Sequence, residues 1–324
     1  MSTGAGAQQD SEQAGEGASE QVGKQASQGA SERAGAGGGE QAGKQASEGA
    51  GAGLRDLLAV LDLEDIDAGL FRSTPSAAGE PGHRLFGGQV AAQALVAAER
   101  TSDDGATAHS LHAYFLRPGD TGQAVVFQVD RLQDGRTFRR RRVTAIQNGQ
   151  PILCLEASFT TDQATAAYHV AAPSVPDPGS CPPMVWRFRN TGLRPDQAFE
   201  LRAAIAPDGP PAHYSDDLWF RTRGPWTGGP VSPSAVLTYV SDLTFVSVIM
   251  RPRGRPDVSR LTSLDHVMWF HNEVRLDDWL LFAKSTPAAG TIRGLALGSI
   301  FHRDGTLIAT VGQEGLMHNS RASR

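Results

Sequence analysis

From residue 85 onward the chain sets one helical pattern against runs of strand-like alternation, and it does so twice. Phe86-Gly87-Gly88-Gln89 leads into Val90–Arg100, an alanine-rich stretch with no internal Gly or Pro. Its Val90, Ala94, Ala97 and Ala98 make a small-residue stripe. So small a face packs close to its cover, and a curved sheet is the natural partner. His109–Arg117, Gln123–Leu132, Arg136–Gln147 and Pro151–Phe159 then read as strands, separated by Pro118-Gly119, Asp134-Gly135 and Asn148-Gly149. Asn-Gly between two β-rich runs is a strong hairpin signal. The first unit is thus one helix followed by an antiparallel meander. Ahead of it, Leu54–Leu70 predicts a short amphipathic helix, with Leu54, Leu57, Leu58 and Leu61 at helical spacing.

Thr160–Pro183, rich in Ala, Pro, Ser and Thr, reads as a linker. After it the pattern returns. Val185–Phe188 and Asp217–Thr222 look like strands. Ser232-Pro233 opens a helix expected to run to about Val248, with serine as N-cap and proline in the first turn. Arg260–His271, Trp279–Ser285, Ile292–His302 and Leu307–Gln313 are strand-like, with Asp304-Gly305 as the last hairpin turn. His112-Ala-Tyr-Phe-Leu aligns with His266-Val-Met-Trp-Phe at an offset of 154, and Asn148-Gly149 with Asp304-Gly305 at 156. A repeated order of elements at a nearly constant offset implies an internal duplication. Two such units most simply pair their sheets edge to edge, which removes exposed edges. The expected division is a first unit over 54–160, a linker over 161–183 and a second unit over 184–318.

Composition separates the N-terminus from this body. Residues 1–53 hold 14 of the 37 glycines and no aromatic residue, and GKQAS occurs there twice, at Gly23–Ser27 and Gly43–Ser47. Such a stretch buries too little apolar surface to offset its chain entropy, so a disordered tail is expected. The tail carries seven acids and three bases, which leaves the body with 27 bases and 28 acids. A nearly neutral body argues against a nucleic-acid partner. Lys284 is the body's one lysine, so a lysine Schiff base is close to excluded. Cys154 and Cys181 make neither a disulfide framework nor a zinc cluster. With no apolar leader pattern and no run long enough to span a bilayer, a cytoplasmic protein without a membrane span is expected.

Four stretches together resemble the type II acyl-CoA thioesterases of the double hotdog fold. They are Leu85–Leu95 (LFGGQVAAQAL), His109–Asp120 (HSLHAYFLRPGD), Asp134–Ile152, and a C-terminal set. That set comprises Tyr239–Phe245, Ser263–His271, Asp277–Phe282 and Val311–Met317. The resemblance runs from about Leu54 to Met317 and implies an α+β fold: two fused hotdog units, each an antiparallel sheet wrapped on one long helix. It also implies hydrolysis of fatty acyl-CoA to free acid and CoA by an activated water; no metal and no cofactor are expected. Carried over position by position, the family's water-activating aspartate is Asp242, its glutamine is Gln313, and its threonine position holds Ser263. Serine keeps the hydroxyl and loses the methyl that stiffens the rotamer, so some loss of positioning is expected. Fused hotdogs also imply a homo-oligomer.

The chemistry fits those residue types. Thioester hydrolysis needs a base for water and donors for the oxyanion. A carboxylate within the apolar run Val236–Val248 would be desolvated and its pKa raised, while Ser263 and Gln313 can orient water without competing for its proton. The backbone at Gly87-Gly88 or at the start of the second helix is an oxyanion-donor candidate. Strand alternation sends His109 and His112 to opposite faces, and likewise His266 and His271, so neither pair chelates a metal by itself. Arg139 and Arg141 share one face and Arg140 and Arg142 the other, with a solvated, acid-paired face favoured over CoA phosphate binding. Trp269, Phe270, Trp279 and Phe282 are core candidates that could also line an acyl slot. The rival readings are an enoyl-CoA hydratase and a non-catalytic acyl-CoA binder.

Overall fold

The computed structural model describes residues 51–75, 83–102, 105–161, 168–184, 194–205, 217–253 and 261–318. The expected strand Val185–Phe188 and nearly all of the expected tail lie outside these residues, as do residues 162–167 of the linker. Within them, thirteen strands form one antiparallel sheet. The first helix, α1, covers residues 51–61. A hairpin follows, β1 (Leu63–Asp67) and β2 (Leu70–Ser73), then the helix α2 (Gly87–Arg100). The meander is β3 (Thr107–Phe115), β4 (Val126–Asp134), β5 (Phe138–Gln147) and β6 (Gln150–Thr160). In the second half come α3 (Pro195–Ala198), β7 (Phe199–Ala203), β8 (Leu218–Thr222), α4 (Pro233–Ser241) and a 3-10 helix (Val246–Arg253). The strands β9 (Leu261–Ser263), β10 (Asp265–Phe270), β11 (Leu280–Ala289), β12 (Arg293–His302) and β13 (Leu307–Met317) complete it.

The strand order explains the duplication. Outward from the centre, one half runs β3-β6-β5-β4-β2-β1 and the other β10-β13-β12-β11-β8-β7. The two halves meet where β3 pairs β10 antiparallel, His266 opposite Ala113. This is the double hotdog arrangement, with one buried helix under each half. On α2 every residue from Gly88 to Ala98 is buried, which is why the stripe must be small. The structural repeat is 155 rather than 154. In β3 Leu111 and Ala113 point inward, and in β10 His266 and Met268 do. His112 points out. A one-residue slip exchanges faces, so the His112/His266 match in sequence pairs residues on opposite sides of the sheet.

Several expected elements are broken where a polar residue is needed elsewhere. The helix expected over Leu54–Leu70 stops at residue 61, because Asp62 caps the chain and turns it: its carboxylate takes the Leu63 N–H at 2.9 Å and binds Arg100. Gly69, at φ 71°, then closes the β1–β2 hairpin. The second long helix ends at Ser241 rather than near Val248. Thr244 sits at φ 59°, held by Lys284 Nζ on its hydroxyl at 3.0 Å, and the apolar run resumes as the 3-10 helix. Residues 233–252 are long and apolar enough to cross a membrane by composition, but most of the segment is buried inside the protein as core. The strand expected over Arg260–His271 is split at Leu264, whose N–H leaves for Glu314 O at 2.9 Å.

The arginine run follows the alternation. Arg142 lies on the outer face with Glu156. Arg141 is fully buried and donates to Thr101 Oγ1 and O at 2.9 Å each, to Gln133 O at 3.0 Å and to Asp134 at 2.5 Å. It thereby ties the end of α2 to the β4–β5 turn. Asp134 is 43% exposed, so the cost of losing Arg141 comes chiefly from the buried Thr101 acceptors left unpaired, about 1–3 kcal/mol. Arg141→Met is therefore expected to lower urea-unfolding stability by about that amount, and Arg142→Met by clearly less. Equal losses for the two variants would contradict the assigned roles.

Candidate active site

The site forms where the start of α2 meets the end of α4. Asp242 is the C-cap residue of α4. Its carboxylate faces the first turn of α2, and the Gly88 N–H donates to Oδ2 at 2.7 Å. That approach requires glycine. A Cβ on residue 88 would lie 2.7 Å from Tyr239 O and 2.9 Å from Asp242 Cβ, and one on Gly87 would lie 3.0 Å from Asp242 Oδ2. The N-cap residue Phe86 offers no side-chain acceptor of its own, so the Asp242 carboxylate serves the first turn of α2.

The sheet supplies the other two predicted residues. Gln313 points inward from β13, and Ser263 ends β9, which pairs with β13 through Gly315 opposite Ser263. Gln313 Nε2 donates to Asp242 Oδ1 at 2.8 Å and to Ser263 Oγ at 2.6 Å. The structure thus brings Asp242, Ser263 and Gln313 together from one helix and two strands. An amide nitrogen has two hydrogens, so both are used here and the Ser263 hydroxyl proton stays free to donate. The grip of Gln313 on Oγ also supplies positioning that the absent methyl would have given.

Burial governs the electrostatics. Asp242 is only 7% exposed. Desolvation pushes its carboxyl up from 3.8 to about 6, against the opposing hydrogen bonds from Gln313 and Gly88. Beneath Gln313 lies His266, fully buried, with Nε2 2.8 Å from Ser241 Oγ. Burial pushes this imidazole down to about 4, and a hydrogen bond with Gln313 pulls the other way. At neutral pH His266 is uncharged. Sequence reasoning placed it only as a core histidine, because nothing in its neighbours reveals which face it takes.

Other candidates fall away from the site. A β-bulge at His109 brings it onto the outer face with His112, against the expectation of opposite faces. Both line an outer cavity of about 490 Å³ with Tyr114 and Arg140. His109 Nε2 lies 2.8 Å from Ser158 Oγ. Among the described residues no cluster of His, Cys, Asp and Glu suits a metal ion. Trp269 is exposed on the outer face, and Trp279 lies under Arg221 in a separate apolar cluster. Phe282 packs on Phe245 in the main core, with ring centroids 5.0 Å apart.

Comparison with known proteins agrees with this geometry. A family model described as the acyl-CoA thioesterase N-terminal domain matches residues 74–161, and one described as acyl-CoA thioesterase matches 207–316. Acyl-coenzyme A thioesterase 8 of Homo sapiens is 35% identical over 288 residues, covering 82% of this chain and 90% of its own length. Acyl-CoA thioesterase 2 of Haemophilus influenzae is 32% identical over 286 residues, covering 82% and 98%. The crystal structure of an acyl-CoA thioesterase II, TesB2, from Mycobacterium marinum superposes with a TM-score of 0.66 at 36% identity, covering 82% of this chain and 99% of that one.

The glycine contact makes a direct prediction. Gly88→Ala must push α2 and α4 apart or shift the backbone, and forced overpacking of this kind costs about 1–3 kcal/mol. The variant is expected to melt at lower temperature in a thermal scan. A melting temperature equal to that of the unsubstituted protein would contradict the close helix crossing.

Proposed function

The chain belongs to the acyl-CoA thioesterase family, and on that premise we propose that it hydrolyses acyl-CoA to free acid and CoA with Asp242 as general base. The observation that carries this reading is the buried carboxylate held by Gly88 and Gln313 beside the free hydroxyl of Ser263. Water bound between Asp242 and Ser263 attacks the thioester carbonyl as its proton passes to Asp242. The tetrahedral intermediate collapses by breaking the C–S bond. The proton on Asp242 then goes to the departing thiolate, which leaves acid, CoA thiol and the regenerated carboxylate.

The oxyanion falls to the start of α2. Gly88 N–H is already used on Asp242, and the first turn of α4 is capped by Ser232 Oγ, which takes the Ala235 N–H at 3.0 Å. The N–H of Gly87, the first residue of α2, meets no acceptor among the described residues. It stands at the positive end of a helix dipole, beside the carboxylate that delivers the water. A direct attack fits because both carboxylate oxygens already accept hydrogen bonds, which weakens them as nucleophiles. The reading extends to a cytoplasmic homo-oligomer, for which the unpaired Cys154 and Cys181 support a reducing compartment.

Asp242→Asn tests the assignment. Loss of a general base costs on the order of 10²-fold or more, so thiol release from acyl-CoA is expected to fall by at least that factor. In the unsubstituted protein kcat/KM is expected to rise with pH through about 6, where Asp242 loses its proton. The stability effect has the opposite sign. A carboxyl whose folded pKa exceeds its unfolded value destabilises the fold when ionised, and stability falls as pH rises from about 4 to about 6. The asparagine variant is therefore expected to melt no lower than the unsubstituted protein at neutral pH. Full thiol release by that variant would overturn the assignment.

A further inference from the structure

Two buried polar atoms beside the site have no hydrogen-bond partner by geometry, Gln313 Oε1 and His266 Nδ1. They belong to cross-strand neighbours on the inner face, because Val267 of β10 pairs with Gly312 of β13 and so sets buried His266 beside buried Gln313. Buried polar groups are satisfied in folded proteins far more often than not, so two adjacent orphans of complementary type point to one another. We propose that His266 is a positioning residue for hydrolysis: its Nδ1–H donates to Gln313 Oε1 and fixes which way the Gln313 amide faces. The inference rests on the reading of Asp242 and Gln313 as parts of the hydrolytic site.

The hydrogen-bond inventory selects this arrangement. A neutral imidazole carries one N–H, and its other nitrogen accepts. With the proton on Nδ1, Nε2 accepts at 2.8 Å from the Ser241 hydroxyl, whose single hydrogen then turns away from Thr238 O, also 2.8 Å away. Gln313 Oε1 is then satisfied, and Nε2 of the glutamine is left to face Asp242 and Ser263, as observed. With the proton on Nε2 instead, Nδ1 and Oε1 both stay unpaired. Flipping the amide would set Gln313 Oε1 against the Asp242 carboxylate, two acceptors face to face. One tautomer therefore satisfies all four side chains, and it links Ser241, His266, Gln313 and Asp242 in series. Ser241 and Asp242 adjoin at the end of α4, so the series closes on the same helix end that carries the base. The imidazole touches no substrate. It holds from the oxygen side the same amide orientation that Asp242 and Ser263 hold from the nitrogen side.

The test compares two replacements that place an N–H differently. Asparagine at 266 puts its amide near the former Nδ1, and glutamine puts it near Nε2. Thiol release from acyl-CoA is measured for His266→Asn, His266→Gln, Gln313→Ala and the double variant His266→Gln/Gln313→Ala, with thermal melting of each. His266→Gln is expected to lower kcat on the order of 10- to 100-fold, the cost of misplacing a catalytic group by about an ångström, with KM nearly unchanged. His266→Asn is expected to recover most of that loss. In the Gln313→Ala background, His266→Gln is expected to add little, since residues acting through one another are non-additive. A core role alone would make kcat follow the melting temperature, with both replacements equally harmful and their effects additive with Gln313→Ala. Either that pattern or an unimpaired His266→Gln overturns the inference. The failures are distinguishable, because the hydrolytic reading itself falls only if Asp242→Asn retains full turnover.

Discussion

The structure turns on one buried contact, the Gly88 N–H on the Asp242 carboxylate. It requires the N-terminus of α2 to meet the C-terminus of α4 at backbone distance, which only a residue without a side chain permits. The helix ends can meet there because the two halves of the sheet join at β3 and β10, which sets the two buried helices side by side. The small-residue stripe of α2 has the same origin, since helices that must approach so closely leave no room for large side chains. A feature that first reads as packing economy is in this sense a condition for the chemistry.

The carboxylate is placed at odds with its own helix. Asp242 caps the C-terminal end of α4, where the dipole disfavours negative charge. Burial adds a larger penalty, and together with it keeps the group ready to take a proton near neutrality. The N-terminus of α2 and the Gln313 amide offset part of this cost, enough to hold the charged form in place without relaxing it fully. A base stabilised further would be too weak, and one left without these donors would stay protonated. The contacts across the pseudo-twofold relationship show how unequal the halves have become. At the other end of the helix pair, Ser232 Oγ meets Glu99 at 2.7 Å and also caps α4. By the offset of 155 the inward position matching Ser263 is Ala108, and by the strand pairing, at an offset of 156, the one matching Gln313 is Ala157; both are buried. The second crossing keeps a carboxyl and lacks the polar pair, so it serves as a joint between helices.

Much of the architecture was legible from alternation and turns. The hairpins at Asn148-Gly149 and Asp304-Gly305 stand where those dipeptides predict, since both strand period and turn geometry are local. What escaped depends on distant partners. The stop of α4 at Ser241 lies inside an apolar-rich run with no Gly or Pro, and only the contacts of Asp242 and Thr244 reveal it. The β1–β2 hairpin lies inside the helix expected over Leu54–Leu70, because no Gly or Pro interrupts that run before Gly69, although the leucine spacing ends at Leu61. The bulge at His109 and the offset of 155 are register facts, invisible until the strands are paired. For the site, the resemblance supplied Asp242, Ser263 and Gln313, whereas their convergence needs the β9–β13 register. The link through His266 needed both its face and its orphaned nitrogen.

In the proposed hydrolysis Asp242 acts on water as a base rather than on the thioester as a nucleophile. Single turnover in ¹⁸O-water, with enzyme in excess over acyl-CoA, separates the two. Mass spectrometry of the released acid and of the peptide carrying Asp242 reads the label. Base catalysis predicts one ¹⁸O in the acid from the first turnover and none in Asp242. Unlabelled acid with ¹⁸O in the Asp242 carboxyl would mean that an acyl-aspartyl anhydride had formed and been hydrolysed at the aspartyl carbon, which would contradict the account.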